Sequence, residues 1–335
     1  MGRRLRYVTW IVALAAARAA TANAFPYHLL RRIALPGTAS VGALVFDPRA
    51  ASVYVGLGHF VRVYTLTGTL RTLDRRLHGT VKALVAVTNN EIVAAVRHPN
   101  SLDFLTSTSL QVLRRRPLGS TRPSALLYDP YAHLLFLESR SSHTLMRLDP
   151  ETGKPLGSVR LSGKLGEVAS NGRGTLYVAD ATHDAVDVIS ALHMRYQGAI
   201  PLTRCHAPTG LAMDRVGRRL FVACSNGRAL IVDADLGFTF VRLPIQRAAH
   251  LHTVFAFRPL GSGGWKGGAF IAGGGRVGAI DMRTFVRYQG GGHLVLASCC
   301  TALTLAPPAD ELWLASGRKG GEHAKLWVFG TRESP

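Results

Sequence analysis

The sequence predicts an all-β chain folded as a seven-bladed β-propeller, its ring closed by an N-terminal strand in the last blade. Three observations carry this. The stretch from Pro208 to Ile245 reads as four short strands joined by tight turns. Its opening apolar residue recurs along the chain as Leu44, Leu84, Leu126, Val168, Leu211, Val254 and Leu303, at steps of 40, 42, 42, 43, 43 and 49 residues. Each of these inner strands is followed by a second, densely apolar one. Four-stranded units of about 40–45 residues mark a propeller, because neighbouring blades cover both faces of each sheet.

In chain order, the first element is an expected export signal. Arg3, Arg4 and Arg6 form a basic start, Val8 to Ala17 is apolar, and Ala22-Asn23-Ala24 fits a small-residue cleavage site. Residues 1–24 are therefore read as a signal peptide and 25–335 as one propeller domain, periplasmic or secreted. The apolar run is shorter than the ~18 residues of a membrane-spanning helix. Next comes a strand without a hairpin partner, Leu29 to Leu35. The seventh unit supplies three strands, the third being Leu326 to Phe329, so the N-terminal strand is expected to complete it and remove two open edges.

The second strands are Val53 to Leu57, Ile92 to Val96, Leu134 to Glu138, Leu176 to Asp180, Leu220 to Cys224, Phe270 to Gly273 and Leu312 to Ala315. Gly261 to Gly268 is a glycine-rich insertion and explains the one long step. In the Pro208 stretch, Val216-Gly217-Arg218 and Ser225-Asn226-Gly227 supply the turns. Third and fourth strands there are Arg228 to Ala234 and Phe238 to Ile245. The runs Arg31-Arg32, Arg75-Arg76 and Arg114-Arg115-Arg116 fall on outermost strands. They protect sheet edges or form a basic belt for an anionic polymer such as nucleic acid.

Among the units, Leu220-Phe-Val-Ala-Cys-Ser-Asn226, Leu176-Tyr-Val-Ala-Asp180, Pro208-Thr-Gly-Leu-Ala212 and Leu230-Ile-Val-Asp233 are similar to the YVTN repeat. The chain resembles the YVTN-repeat propellers of the YncE-like type over nearly all of its mature length. That resemblance implies an exported, seven-bladed binding or scaffold protein. Single-stranded DNA binding is associated with some members, and no catalytic motif carries over.

The formal charge is +20, and falls to +16 without Arg3, Arg4, Arg6 and Arg18. Such a balance favours acidic partners: nucleic acid, anionic lipid or acidic proteins. In a propeller, the loops between strands two and three and those leading to the next blade share one side. That side collects His59, His98, His143, His183 and His323 in the former, and His78, His206, His250 and His252 in the latter. Glu138, Glu167, Asp180, Asp184 and Glu322 lie there too, and are the candidates for acid–base chemistry. Asp47, Asp129, Asp149, Asp214 and Asp233 recur at turn positions and read as turn caps.

Cysteines add a second signal at the same rim. Cys205, His206, His250, His252, Cys299 and Cys300 could hold copper or zinc, which suit thiolate and imidazole. Equally, Cys205 and Cys224 sit at one blade junction and could form a disulfide in an oxidising compartment. Without a CxxC or HxxxH spacing, both readings stay open. Gly273-x-Gly275-x-x-Gly278 matches a dinucleotide fingerprint only in letters, since strands and not a helix surround it. The reading is a non-enzymatic binding protein, its ligand, partner or metal held on the His/Cys-rich face. The alternatives are a lactonase- or lyase-like enzyme using a His with Glu167 or Asp184, and nucleic-acid binding through the basic surface.

Overall fold

A computed structural model describes residues 27–37, 39–248, 251–256, 268–281, 286–287, 294–295, 301–316 and 323–330. The expected signal peptide, His250, Cys299, Cys300, Glu322 and most of the glycine-rich insertion lie outside the described residues. Seven antiparallel sheets form a ring of seven blades. Six blades take their strands consecutively from the chain. They begin with the inner strands Val41–Asp47, Thr80–Val87, Ala125–Asp129, Leu165–Ser170, Pro208–Asp214 and His252–Ala256. Blade 7 is built from Ala302–Ala306, Glu311–Ser316, Lys325–Gly330 and, on its outer edge, the N-terminal strand His28–Ala34.

That outer strand closes the ring. It runs antiparallel to Lys325–Gly330, from His28 opposite Gly330 to Ala34 opposite Lys325. The Leu35 amide extends the ladder to the Ala324 carbonyl at 2.9 Å. Arg31 reaches inward from it to Glu311.

Blade 6 is less regular. Its outer edge is two short strands, Val286–Arg287 and Leu294–Val295, both paired with Arg276–Asp281. The Gly273 to Gly278 segment is a hairpin, its turn formed by Gly274 and Gly275 at φ 57° and 77°. Two successive positive φ angles require glycine-like residues, so the dinucleotide-like spelling is turn chemistry.

The core is distributed over the blade junctions. Trp313 and Val328 of blade 7 pack on Val53 and Val55 of blade 1. Tyr177 and Val186 of blade 4 pack on Leu220 and Val222 of blade 5. Second strands are therefore buried on both faces, which explains why Leu134–Ser139 and Glu311–Ser316 are buried along their whole length. Polar atoms among them are paired across the junctions. Tyr54 donates to the Ser107 carbonyl at 2.6 Å, and Tyr177 to the Ala234 carbonyl at 2.8 Å. The recurring aspartates accept from turn amides, as Asp214 does from Val216 and Gly217 at 3.0 and 2.9 Å. Among the described residues no helix is long and apolar enough to cross a membrane.

Candidate functional site at the channel mouth

Each inner strand starts on the side where the histidine-bearing loops open. The residue two places before each repeating apolar position forms a ring there: Gly42, Lys82, Ser124, Gly166, Thr209, His252 and Thr301. In blades 1, 2 and 5 the ladder slips at this residue, between Val41 and Ala43, Val81 and Ala83, and Pro208 and Gly210. In blade 4 the slip covers Gly166 and Glu167. A β-bulge re-aims the extra side chain away from the ladder. Space at the ring is tight where strands converge. A Cβ on Gly42 would lie 2.2 Å from the Val81 carbonyl oxygen.

A cavity of about 380 Å³ opens at this ring, with Lys82, Ser124, Glu138, Arg140, Glu167, His252 and Thr253 on its wall. Glu167 organises one side. Its Oε2 accepts from the Leu211 and Thr253 amides at 2.9 and 3.0 Å, and its Oε1 faces His252 Nδ1 at 2.8 Å. One carboxylate from blade 4 thus ties blades 5 and 6.

The opposite side is cationic. Arg97, behind the lining, donates to the Pro123 carbonyl at 2.7 Å and to Ser124 Oγ at 3.1 Å, with no carboxylate partner among the described residues. Burial, then the Arg122 and Arg140 charges, lower its pKa. Lys82 makes no hydrogen bond or ion pair with a described residue. Its pKa is lowered first by burial and then by Arg97. Glu138 is 2% exposed. Its Oε1 accepts from Arg140 Nε at 2.8 Å, while Oε2 is enclosed without a partner. Burial raises the Glu138 pKa, Arg140 opposes this, and the Glu167 charge adds to it. Thr253 Oγ1 is a second enclosed polar atom without a partner.

The histidines of this face do not converge. His143 Nδ1 lies 2.5 Å from the Gly163 carbonyl and His323 Nδ1 2.8 Å from that of Gly37. His183 pairs with Asp180 at 2.6 Å, which raises its pKa. His206 pairs with Asp184 at 2.8 Å. Burial opposes that pair, but the Ala207 amide and His206 hold the Asp184 pKa low. His59 and His98 are exposed. Of the described residues expected on this face, His252, Glu138 and Glu167 meet in the cavity.

The structure joins Cys205 to Cys224 in a disulfide, with Cα atoms 5.4 Å apart and both residues fully buried. That corrects the copper or zinc set: a bridged Cys205 has no thiolate to offer. His250, Cys299 and Cys300 are outside the described residues. Among the described residues no group of three or more His, Cys, Asp or Glu side chains could hold a metal ion.

One arrangement imitates a nucleophilic triad. Ser101 Oγ lies 3.2 Å from His78 Nε2, and His78 Nδ1 lies 3.3 Å from Asp103. Ser101, however, donates its proton to Asp103 at 2.9 Å, and Arg115 holds both Asp103 oxygens at 3.0 and 3.1 Å. Ser101 is 2% exposed and Asp103 fully buried. The hydroxyl proton is already committed and Oγ is sealed, so the trio ties blade 2 together.

The arginine runs lie on outer strands as expected, but several are engaged. Arg114 grips Glu91 at 2.7 and 2.9 Å and stacks over Phe104, Arg115 holds Asp103, and Arg32 covers Trp327. No protein-family model matches the chain, and no curated protein matches it.

The cations at the mouth were not singled out from the sequence. Lys82 sits in an otherwise apolar strand, and its signal is positional. Aligning the units places it at the ring residue that is Gly, Ser or Thr in every other blade except blade 6.

Proposed function

We propose that this protein is an exported, non-enzymatic binding propeller that captures a small oxyanion, carboxylate or phosphate, at its channel mouth. The single observation that carries the reading is Lys82, a half-buried ammonium on the cavity wall with no ion-pair partner among the described residues. Its neighbour Arg97 is equally without a carboxylate. The two acids of the cavity are already engaged, Glu138 by Arg140 and Glu167 by His252 and two amides. A desolvated cation left unpaired is costly, and an anionic ligand removes that cost. The Ser124 hydroxyl on the cavity wall adds hydrogen-bonding capacity. The resemblance to YVTN-repeat propellers and the N-terminal signal support a binding role outside the cytoplasm.

The test is calorimetric titration of the mature protein with inorganic phosphate and with succinate at low ionic strength, beside neutral glucose. Saturable binding of an anion, at least 10-fold weaker in Lys82→Met, is the expected result. Equal binding by wild type and Lys82→Met, or binding of glucose alone, refutes the reading.

The second reading is a lyase- or lactonase-like activity. It is favoured by one observation, the His252–Glu167 pair on the cavity wall, where Glu167 would orient His252 as a general base. It requires that His252→Gln abolish turnover of a lactone panel.

A further inference from the structure

The cations occupy only the rim of the cavity. Two residues deeper along each inner strand, about 6–7 Å down the channel, the same cavity is walled by aliphatic side chains. Leu44, Leu84, Leu126, Val168, Leu211 and Leu303 form this layer. The layering follows from the repeat. Each inner strand places one ring residue at the mouth, and six of them place an aliphatic residue of this cavity at the next level, which sets a collar bearing Lys82 above an apolar layer. Ala43, Ala83, Ala125 and Ala302 lie between the two levels and keep the shaft open. Leu44, Leu84 and Leu211 are already buried between blades, while Leu126, Val168 and Leu303 keep part of their surface open; a hydrated inorganic anion would leave that part wet and forgo its burial.

We infer that the natural ligand is amphiphilic, a short-chain aliphatic carboxylate whose head meets Lys82 at the collar and whose methylene body fills the leucine-lined shaft. This deepens, and rests on, the oxyanion reading above. Glu138 fits the assignment. Its Oε1 is held by Arg140 at 2.8 Å, so this acid of the cavity wall already has its own cation and leaves Lys82 to the ligand. The cavity's two levels thus match the two ends of one molecule.

The experiment titrates acetate, butyrate, hexanoate and octanoate into the mature protein by calorimetry at constant ionic strength and pH 7. Wild type and Lys82→Met are compared, and circular dichroism confirms that both are folded. Each added methylene is expected to tighten binding about 4-fold until the shaft is full. Lys82→Met is expected to weaken every member at least 10-fold while keeping the methylene increment. A variant that narrows the shaft, Ala125→Leu, should erase the gain beyond butyrate and leave acetate unchanged. Equal affinity for acetate and octanoate, with both lost in Lys82→Met, overturns the inference and leaves the oxyanion reading standing. A methylene increment indifferent to both variants places the alkyl chain elsewhere and overturns the inference. Failure of every carboxylate, and of phosphate, overturns both.

Discussion

Replacing Glu167 with alanine should destabilise the ring more than its half-buried position suggests. The side chain accepts from two backbone amides on separate blades, Leu211 at 2.9 Å and Thr253 at 3.0 Å, and from His252 at 2.8 Å. Leu211 is 3% and Thr253 6% exposed, so water replaces the lost acceptor poorly. Each buried amide left without an acceptor costs about 1–3 kcal/mol. The two together put the loss at about 2–6 kcal/mol, with His252 adding less because it is better solvated. For a domain of this size, about 1.5 °C of melting temperature per kcal/mol gives a fall of roughly 3–9 °C. Glutamine is the discriminating control. Both amides bond the same oxygen, Oε2, and the glutamine carbonyl oxygen can take its place. The glutamine amide then donates to His252 Nδ1, which accepts by changing tautomer. Exchanging charge-assisted for neutral bonds should cost only about 1–2 kcal/mol. Urea unfolding and calorimetric melting of both variants measure the difference. Should Glu167→Ala melt within about 1 °C of wild type, or should Gln and Ala behave alike, the three-blade tie is wrong.

Asp187 gives a pH signature. Burial first, then the Asp180 charge, raises its pKa from 3.8 to about 6, with His183 opposing. Between these values the folded chain holds a proton that the unfolded chain has released. Its contribution is therefore full below about pH 4, falls as the pH rises to about 6, and is flat above. Asp187→Asn should flatten that window and raise stability at pH 7 by up to about 3 kcal/mol, read from urea midpoints across pH; an unchanged profile contradicts it. The Cys205–Cys224 bridge spans 19 positions of sequence. Its loss in Cys205→Ser with Cys224→Ser should cost about 3 kcal/mol, and reductant should leave the double variant's melting curve unmoved. Deleting residues 25–36 removes the outer strand of blade 7 and leaves the blade's Lys325–Gly330 edge open. The expectation is loss of cooperative melting, and a truncated protein that melts like wild type refutes ring closure by this strand.

The sequence by itself determined the propeller: its unit length, seven inner strands and the spare N-terminal strand are all local patterns. Turn chemistry was equally legible, since Asp214 or Gly274-Gly275 act on amides or angles a few residues away. The rim histidines were legible as residues of one face, because topology alone assigns a loop to a side. Whether they meet was not, and the described ones do not: His143 and His323 bond the Gly163 and Gly37 carbonyls, while His252 is drawn to Glu167, 85 positions away. The cysteines illustrate the same limit. Both a metal set and a disulfide fit the spacing, and only the 5.4 Å Cα separation selects the bridge. Lys82 carries the sharpest contrast. In the sequence it is one lysine in a strand; in the ring it is a cation without an ion-pair partner among the described residues, at the mouth of a channel. Closing seven blades decides that, because the channel exists only when residues more than 200 positions apart become neighbours, and burial and charge pairing are properties of the closed ring.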